Sequence, residues 1–142
     1  MITDRAQVDV DRWLALRKKG VNMTADELEE FIHSKGAYNA TDLNRVENAV
    51  KELSDYLKLG LVTKTDWSIS DIPTREEMTR YLNNIKKVAR ALKGGFTLPG
   101  SMDYLTYQGA NDIEKTVEQL IVMKNSIAYN WFYPSELFTG EV

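Results

Sequence analysis

The sequence contains no cysteine and a single histidine, His33. The first absence excludes a thiol nucleophile, a disulfide framework and every cysteine-ligated zinc or iron–sulfur centre. The second excludes a two-histidine metal site within one chain. With no Gly-x-Ser-x-Gly turn either, there is no base and hydroxyl pair to support nucleophilic catalysis. No window of about 18 or more apolar residues occurs, so no segment reads as a membrane span. Positive charge is not in surplus: 18 Lys+Arg stand against 21 Asp+Glu, a net charge of −3. A nonspecific nucleic-acid binder needs a basic excess to displace counterions, so nucleic acid is an unexpected partner. Met1-Ile2-Thr3-Asp4-Arg5 offers no cationic flank followed by an apolar stretch. We therefore expect no signal peptide, and a protein that stays in the cytoplasm unless it is assembled into something larger.

What is present is an ordinary globular inventory. Of 142 residues, 43% are hydrophobic and 27% charged, enough for one domain to build its core without a covalent or metal staple. The apolar spacing is helical throughout. Thr3 precedes Ala6, Val10, Trp13, Leu14 and Arg17, which recur three and four apart until Gly20. Thr24-Ala25-Asp26-Glu27 is a capping box ahead of Leu28, Phe31 and Ile32, with Gly36 as the stop. Thr41-Asp42 opens a third run through Leu43, Val46, Ala49, Val50, Leu53 and Leu57 to Gly60. A second box, Thr74-Arg75-Glu76-Glu77, precedes Met78, Tyr81, Leu82, Ile85, Val88, Ala89 and Leu92, and Lys93-Gly94-Gly95 closes that helix. The fifth starts near Thr106 and continues through Ile113, Val117, Leu120, Ile121, Met123, Ile127 and Trp131 until Pro134. The expectation is an all-α fold, a single compact domain of about five helices.

Two connections, 61–72 and 95–105, are long for a compact domain. Leu61, Val62, Trp67 and Ile69 in the first, and Phe96, Leu98, Met102 and Leu105 in the second, predict ordered loops pinned to the core. Residues 134–142 read as an extended tail with Leu137 and Phe138 as anchors.

Candidate chemistry is sparse. Lys93-Gly94-Gly95 has its lysine before the glycines and at a helix end, which makes it a cap and not a phosphate cradle. Glu29-Glu30 and Glu76-Glu77 lie in or near helical first turns, while Asp66 and Asp71 flank Trp67 in a loop. All three pairs read as capping or turn residues. The 66–71 loop has too few oxygen ligands for calcium, and His33 reads as a residue near a helix C-terminus. We expect no catalytic residue, no metal and no cofactor.

Two surfaces stand out instead. The fourth helix carries Arg75, Arg80, Lys86, Lys87, Arg90 and Lys93 against Glu76 and Glu77. Lys86, Arg90 and Lys93 form a basic face that suits either solvent or a small nucleic-acid-binding regulator. The acidic second helix, with Asp26, Glu27, Glu29 and Glu30, is a candidate to neutralise it within the chain or across a subunit contact. The other surface is Tyr129, Trp131, Phe132 and Tyr133, with Leu137 and Phe138 close behind. So many aromatics in so short a stretch cannot share one helical stripe, so they need cover from the tail, a loop or another chain.

Several stretches resemble short tail- and baseplate-region proteins of phages and prophages of Gram-positive bacteria. They are Thr3-Asp4-Arg5 with Val8-Asp9-Val10-Asp11-Arg12-Trp13, and Lys35-Gly36-Ala37-Tyr38-Asn39-Ala40-Thr41-Asp42-Leu43-Asn44-Arg45-Val46-Glu47. Asp71-Ile72-Pro73-Thr74, Arg80-Tyr81-Leu82-Asn83-Asn84-Ile85 and Leu105-Thr106-Tyr107-Gln108-Gly109-Ala110-Asn111-Asp112-Ile113-Glu114-Lys115 complete the set. Where the resembling proteins carry Ser-Gly-Glu near the end, this chain has Pro134-Ser135-Glu136. The resemblance implies a structural or tail-assembly role, in the virion or the host cytoplasm. It also implies protein partners among tail and baseplate components or a homo-oligomer, and it brings no catalytic residues with it. Within the most specific run, Thr41 and Asp42 are expected to cap a helix and Leu43, Val46 and Val50 to bury one face. Asn44, Arg45 and Glu47 are left on or beside a polar face open to neighbours.

Overall fold

A computed structural model describes the backbone of residues 1–132 and the side chains of residues 1–127. Among the described residues the regular structure is all helical: α1 Gln7–Lys19, α2 Ala25–Ile32, α3 Ala40–Leu57, α4 Arg75–Ala91 and α5 Tyr107–Phe132, with one tighter turn at Gly20–Asn22. The expected all-α architecture of five helices is the one that forms. None of these helices is long and apolar enough to cross a membrane. The 134–142 tail, with Leu137 and Phe138, lies outside the described residues.

The core is a three-helix arrangement in which α3 packs on both α4 and α5. Leu43, Val46, Val50 and Leu53 meet Tyr81, Ile85 and Val88 of α4 and Ile113, Val117 and Leu120 of α5, the stripes that three- and four-residue spacing dictates. Arg45 near the start of α3 bonds Glu114, and Tyr56 in its last turn lies under Lys124. The two helices therefore run parallel.

Local chemistry explains the helix starts. Thr24 and Thr74 each accept the amide hydrogen of the residue three on, while Glu27 and Glu77 accept theirs in return. In α3 the cap is Asn39, whose Oδ1 accepts from the amides of Thr41 and Asp42, and Asp42 accepts from Asn39. Thr41 and Asp42 thus fall inside the helix as its second and third residues, and the cap lies two residues before Thr41. In α1 the start shifts from Thr3 to Ala6, whose amide donates to Asp9 at 2.9 Å. The cause is upstream: the amides of Ile2 and Arg5 donate to Glu114 and Asn111 of α5, holding this segment extended across the core.

The expected α1 stripe is also displaced. Leu16 is its one buried residue, and Leu14 is 42% exposed. α1 packs chiefly on α2, with Trp13 stacked on Phe31 at 5.5 Å, so these two helices form a hairpin beside the core and bury little of their own. α2 stops at Ile32 with His33 as its cap, earlier than Gly36. Gly36 serves close approach instead, since a Cβ there would lie 2.1 Å from the Asp9 carbonyl oxygen. Both loops are pinned as expected, through buried Trp67 and half-buried Phe96, Leu98, Met102 and Leu105. Val62 and Ile69 are exceptions that face solvent.

Candidate functional site

Glu47 is buried and Asn44 and Arg45 are half-buried, which corrects their placing on or beside a polar face open to neighbours; Thr41 is the exposed polar residue of the run. Arg5, whose side chain is 2% exposed, sits where the starts of α3 and α5 meet. Its Nη2 donates to Asp42 at 3.0 Å and Glu114 at 2.5 Å, and Nη1 donates to the Ile2 carbonyl at 2.8 Å. Arg45 closes the cluster through Nε to Glu114 at 2.6 Å and Nη2 to both acids. Burial acts to raise the Glu114 carboxyl, but hydrogen bonds from Arg45, Arg5 and the Ile2 amide hold it below the ordinary carboxylate range. The same bonds raise Arg45. Tyr38 and Tyr81 share a 2.5 Å hydroxyl contact nearby, and burial pushes both phenols up.

A second clamp holds the 61–72 loop. Glu47, 1% exposed, accepts from the Trp67 indole at 2.9 Å and from both Arg80 terminal nitrogens at 2.8 Å. Asn44 accepts from the Trp67 amide and donates to its carbonyl. Arg80 and Asn84 also donate to the Val62 carbonyl. Every charged group in both clamps has an opposite charge within reach, which is what makes burying them affordable. These clamps fix the chain; neither one presents a reactive group to solvent.

A cleft of about 430 Å³ lies where the α1–α2 hairpin meets the start of α5. Trp13 and Val10 of α1 form one wall, Lys35, Gly36 and Tyr38 of the following strap another, and Thr106, Tyr107 and Gln108 at the α5 start the third. Gln7 alone among its lining residues falls outside the stretches that carry the resemblance. Arg5 also lines the cleft, and its Nε is the one buried side-chain nitrogen or oxygen without a hydrogen-bond partner among the described residues. Position in sequence gives no signal of this cleft, because three distant segments build it.

Of the basic face, Lys86 and Arg90 flank a shallow groove of about 280 Å³ over Ala89, Gly94, Phe96 and Leu98. Lys93 lies past the end of α4 with left-handed backbone, φ 56°. None of the three pairs with an acid among the described residues. The acidic helix is engaged elsewhere, which corrects its assignment as their partner within the chain: Glu30 accepts from Arg12 Nε and Nη2 at 2.8 Å and Glu27 from Lys19. Asp66 and Asp71 pair with Lys64 at 3.2 and 4.0 Å. His33 caps α2 beside Glu29. No metal-holding group of three or more His, Asp or Glu occurs among the described residues.

Of the aromatic cluster, Tyr129, Trp131 and Phe132 lie in the last turns of α5, with their side chains outside the described set; Tyr133, Leu137 and Phe138 lie beyond it altogether. The helix that carries them overruns the core. Tyr56 in the last turn of α3 is level with Lys124, and the eight residues from there to Phe132 add roughly 12 Å of helix. Asn125, Ser126 and Ile127 are all exposed.

No protein-family model matches the chain, and no curated protein or solved structure matches it significantly either.

Proposed function

We propose that this protein is a non-enzymatic structural or tail-assembly protein of a phage or prophage that acts through protein–protein contacts. The observation that carries the reading is α5, whose helical backbone continues roughly 12 Å from the level of Lys124 to Phe132, with Tyr129, Trp131, Phe132 and Tyr133 at or just after that end in the sequence. Helices are extended beyond a packed core at a cost in exposed apolar surface, and that cost is offset when a partner covers it. The two buried clamps support the same reading, because they spend the polar residues of the resembling run on rigidity. A rigid body with one protruding contact element suits a repeated part of an assembly.

Deleting the gene from a phage that carries it tests this. Particles should then lack functional tails, and the full chain supplied in trans should restore them. A chain ending before Pro134 should keep its melting temperature yet fail to restore. Normal particles without the protein would overturn the proposal. The rival reading, a nucleic-acid-binding regulator, is favoured by Lys86, Arg90 and Lys93, which pair with no acid among the described residues. A mobility shift at two salt concentrations separates them: salt-dependent binding that is lost on reversing those three charges would favour the regulator.

A further inference from the structure

The side of α4 beside the 95–103 loop and the outer side of α2 are complementary in charge, in apolar surface and in length. We infer that the groove along α4 receives α2 of a second copy of this chain.

Two depressions follow one another along α4. One, of about 280 Å³, has Ala89, Phe96 and Leu98 as its floor beside Lys86 and Arg90. The other, of about 100 Å³, is lined by Met78, Leu82 and Met102 and shares Lys86 with the first. Thr79, Asn83, Lys86 and Arg90 recur three or four apart, so one side of α4 lines both. Phe96, Leu98 and the two methionines are only half-buried, which leaves apolar surface open along the groove. At the far end Arg75 is met by Asp103 at 3.5 Å. Lys86 and Arg90, four apart, pair with no acid among the described residues. A ligand for this groove is therefore a short apolar ridge edged by two negative charges.

α2 presents that ridge. None of its eight residues is fully buried, and Leu28 is 46% and Ile32 39% exposed. Its inner side is committed to α1 through the Trp13–Phe31 stack and the Arg12–Glu30 and Lys19–Glu27 pairs. Leu28 and Ile32, four apart, share the side left over, and Asp26 and Glu29, three apart, run beside them. Asp26 pairs with no cation among the described residues, and Glu29 meets only His33, the cap of its own helix. Helix positions three and four apart are both separated by about 5–6 Å, so the two acids match Lys86 and Arg90. The eight residues of α2 span roughly 12 Å, and α4 from Thr79 to Arg90 roughly 16 Å. The ties to α1 hold α2 in place on its own protomer, so the helix that enters the groove is another copy's. A two-turn helix buries less than the roughly 1,000 Å² of a durable interface. The strength of this contact therefore rests on the reading of 129–138 as a contact segment: protomers joined there offer α2 to the groove at high local concentration.

Charge reversal in the full chain tests this. One variant carries Lys86→Glu and Arg90→Glu, the other Asp26→Lys and Glu29→Lys. None of these four side chains bonds another element among the described residues, so both variants should melt close to wild type. Sedimentation over a concentration series should show wild type associating and each variant weakened by about tenfold or more, because like charges then face each other. Mixed in equal amounts, the two variants should associate with one another, because the first keeps an intact α2 and the second an intact groove. A wild type that stays monomeric overturns the inference, as does a mixture that stays monomeric. Association equal in wild type and both variants also overturns it, while leaving the contact role of 129–138 standing. Association lost in the groove variant alone overturns it too; salt-dependent nucleic-acid binding lost alongside would give those cations to the regulator reading. Failure of the 129–138 role would show separately: a chain ending before Pro134 would then associate as the full chain does, while both charge-reversed variants would not.

Discussion

Glu114 is the residue on which most of the tertiary structure converges. Its two oxygens take hydrogen bonds from Arg5, Arg45 and the Ile2 amide. Glu114→Gln keeps the shape but leaves the buried Arg5 and the half-buried Arg45 short of a counter-charge, and should cost about 3 kcal/mol in urea unfolding. The pH dependence follows from the direction of its shift. The carboxyl is held below its ordinary value of 4.5, so its contribution is fully present above that pH and is lost as pH falls through the lowered folded value. Wild type should therefore lose stability on acidification more steeply than Glu114→Gln; equal slopes would refute this. Gly36→Ala should cost about 2 kcal/mol by overpacking against Asp9, read as a lower melting temperature. Residues of this kind were the least legible in the sequence. Helical spacing puts Asn44, Arg45 and Glu47 on a polar face, and nothing local says that Arg5, Glu114 and Trp67 will cover it from far along the chain.

Elements were far more legible, because caps and apolar stripes are local. The α3, α4 and α5 stripes and two capping boxes follow directly from residue spacing. The misses have tertiary causes: α1 starts late because residues 2–5 are tied to α5, and its stripe moves because α2, not the core, is its neighbour. Two helix ends are left unoptimised. Lys58 and Lys93 both hold left-handed backbone at φ 56°, closing their helices through Leu59 N–H to Ser54 and Gly94 N–H to Ala89. Glycine is at ease in that conformation where lysine is strained. Lys58→Gly should thus raise stability by about 1 kcal/mol, and a melting temperature that falls instead would contradict the cap assignment. Asn39→Ala should lower stability by about 1 kcal/mol.

At the scale of the whole molecule, a small core of three helices supports a hairpin on one side and an overrunning helix on the other. The aromatic-rich end of that helix is legible in the sequence, but the cleft is not, since it exists only once α1, the 35–38 strap and the start of α5 are brought together. The account stands on contact through that end. Sedimentation velocity of the full chain beside one ending before Pro134 tests it most directly. The full chain should sediment faster as concentration rises, and the shortened chain should remain a monomer with the same melting temperature. Indistinguishable sedimentation of the two chains would contradict the account.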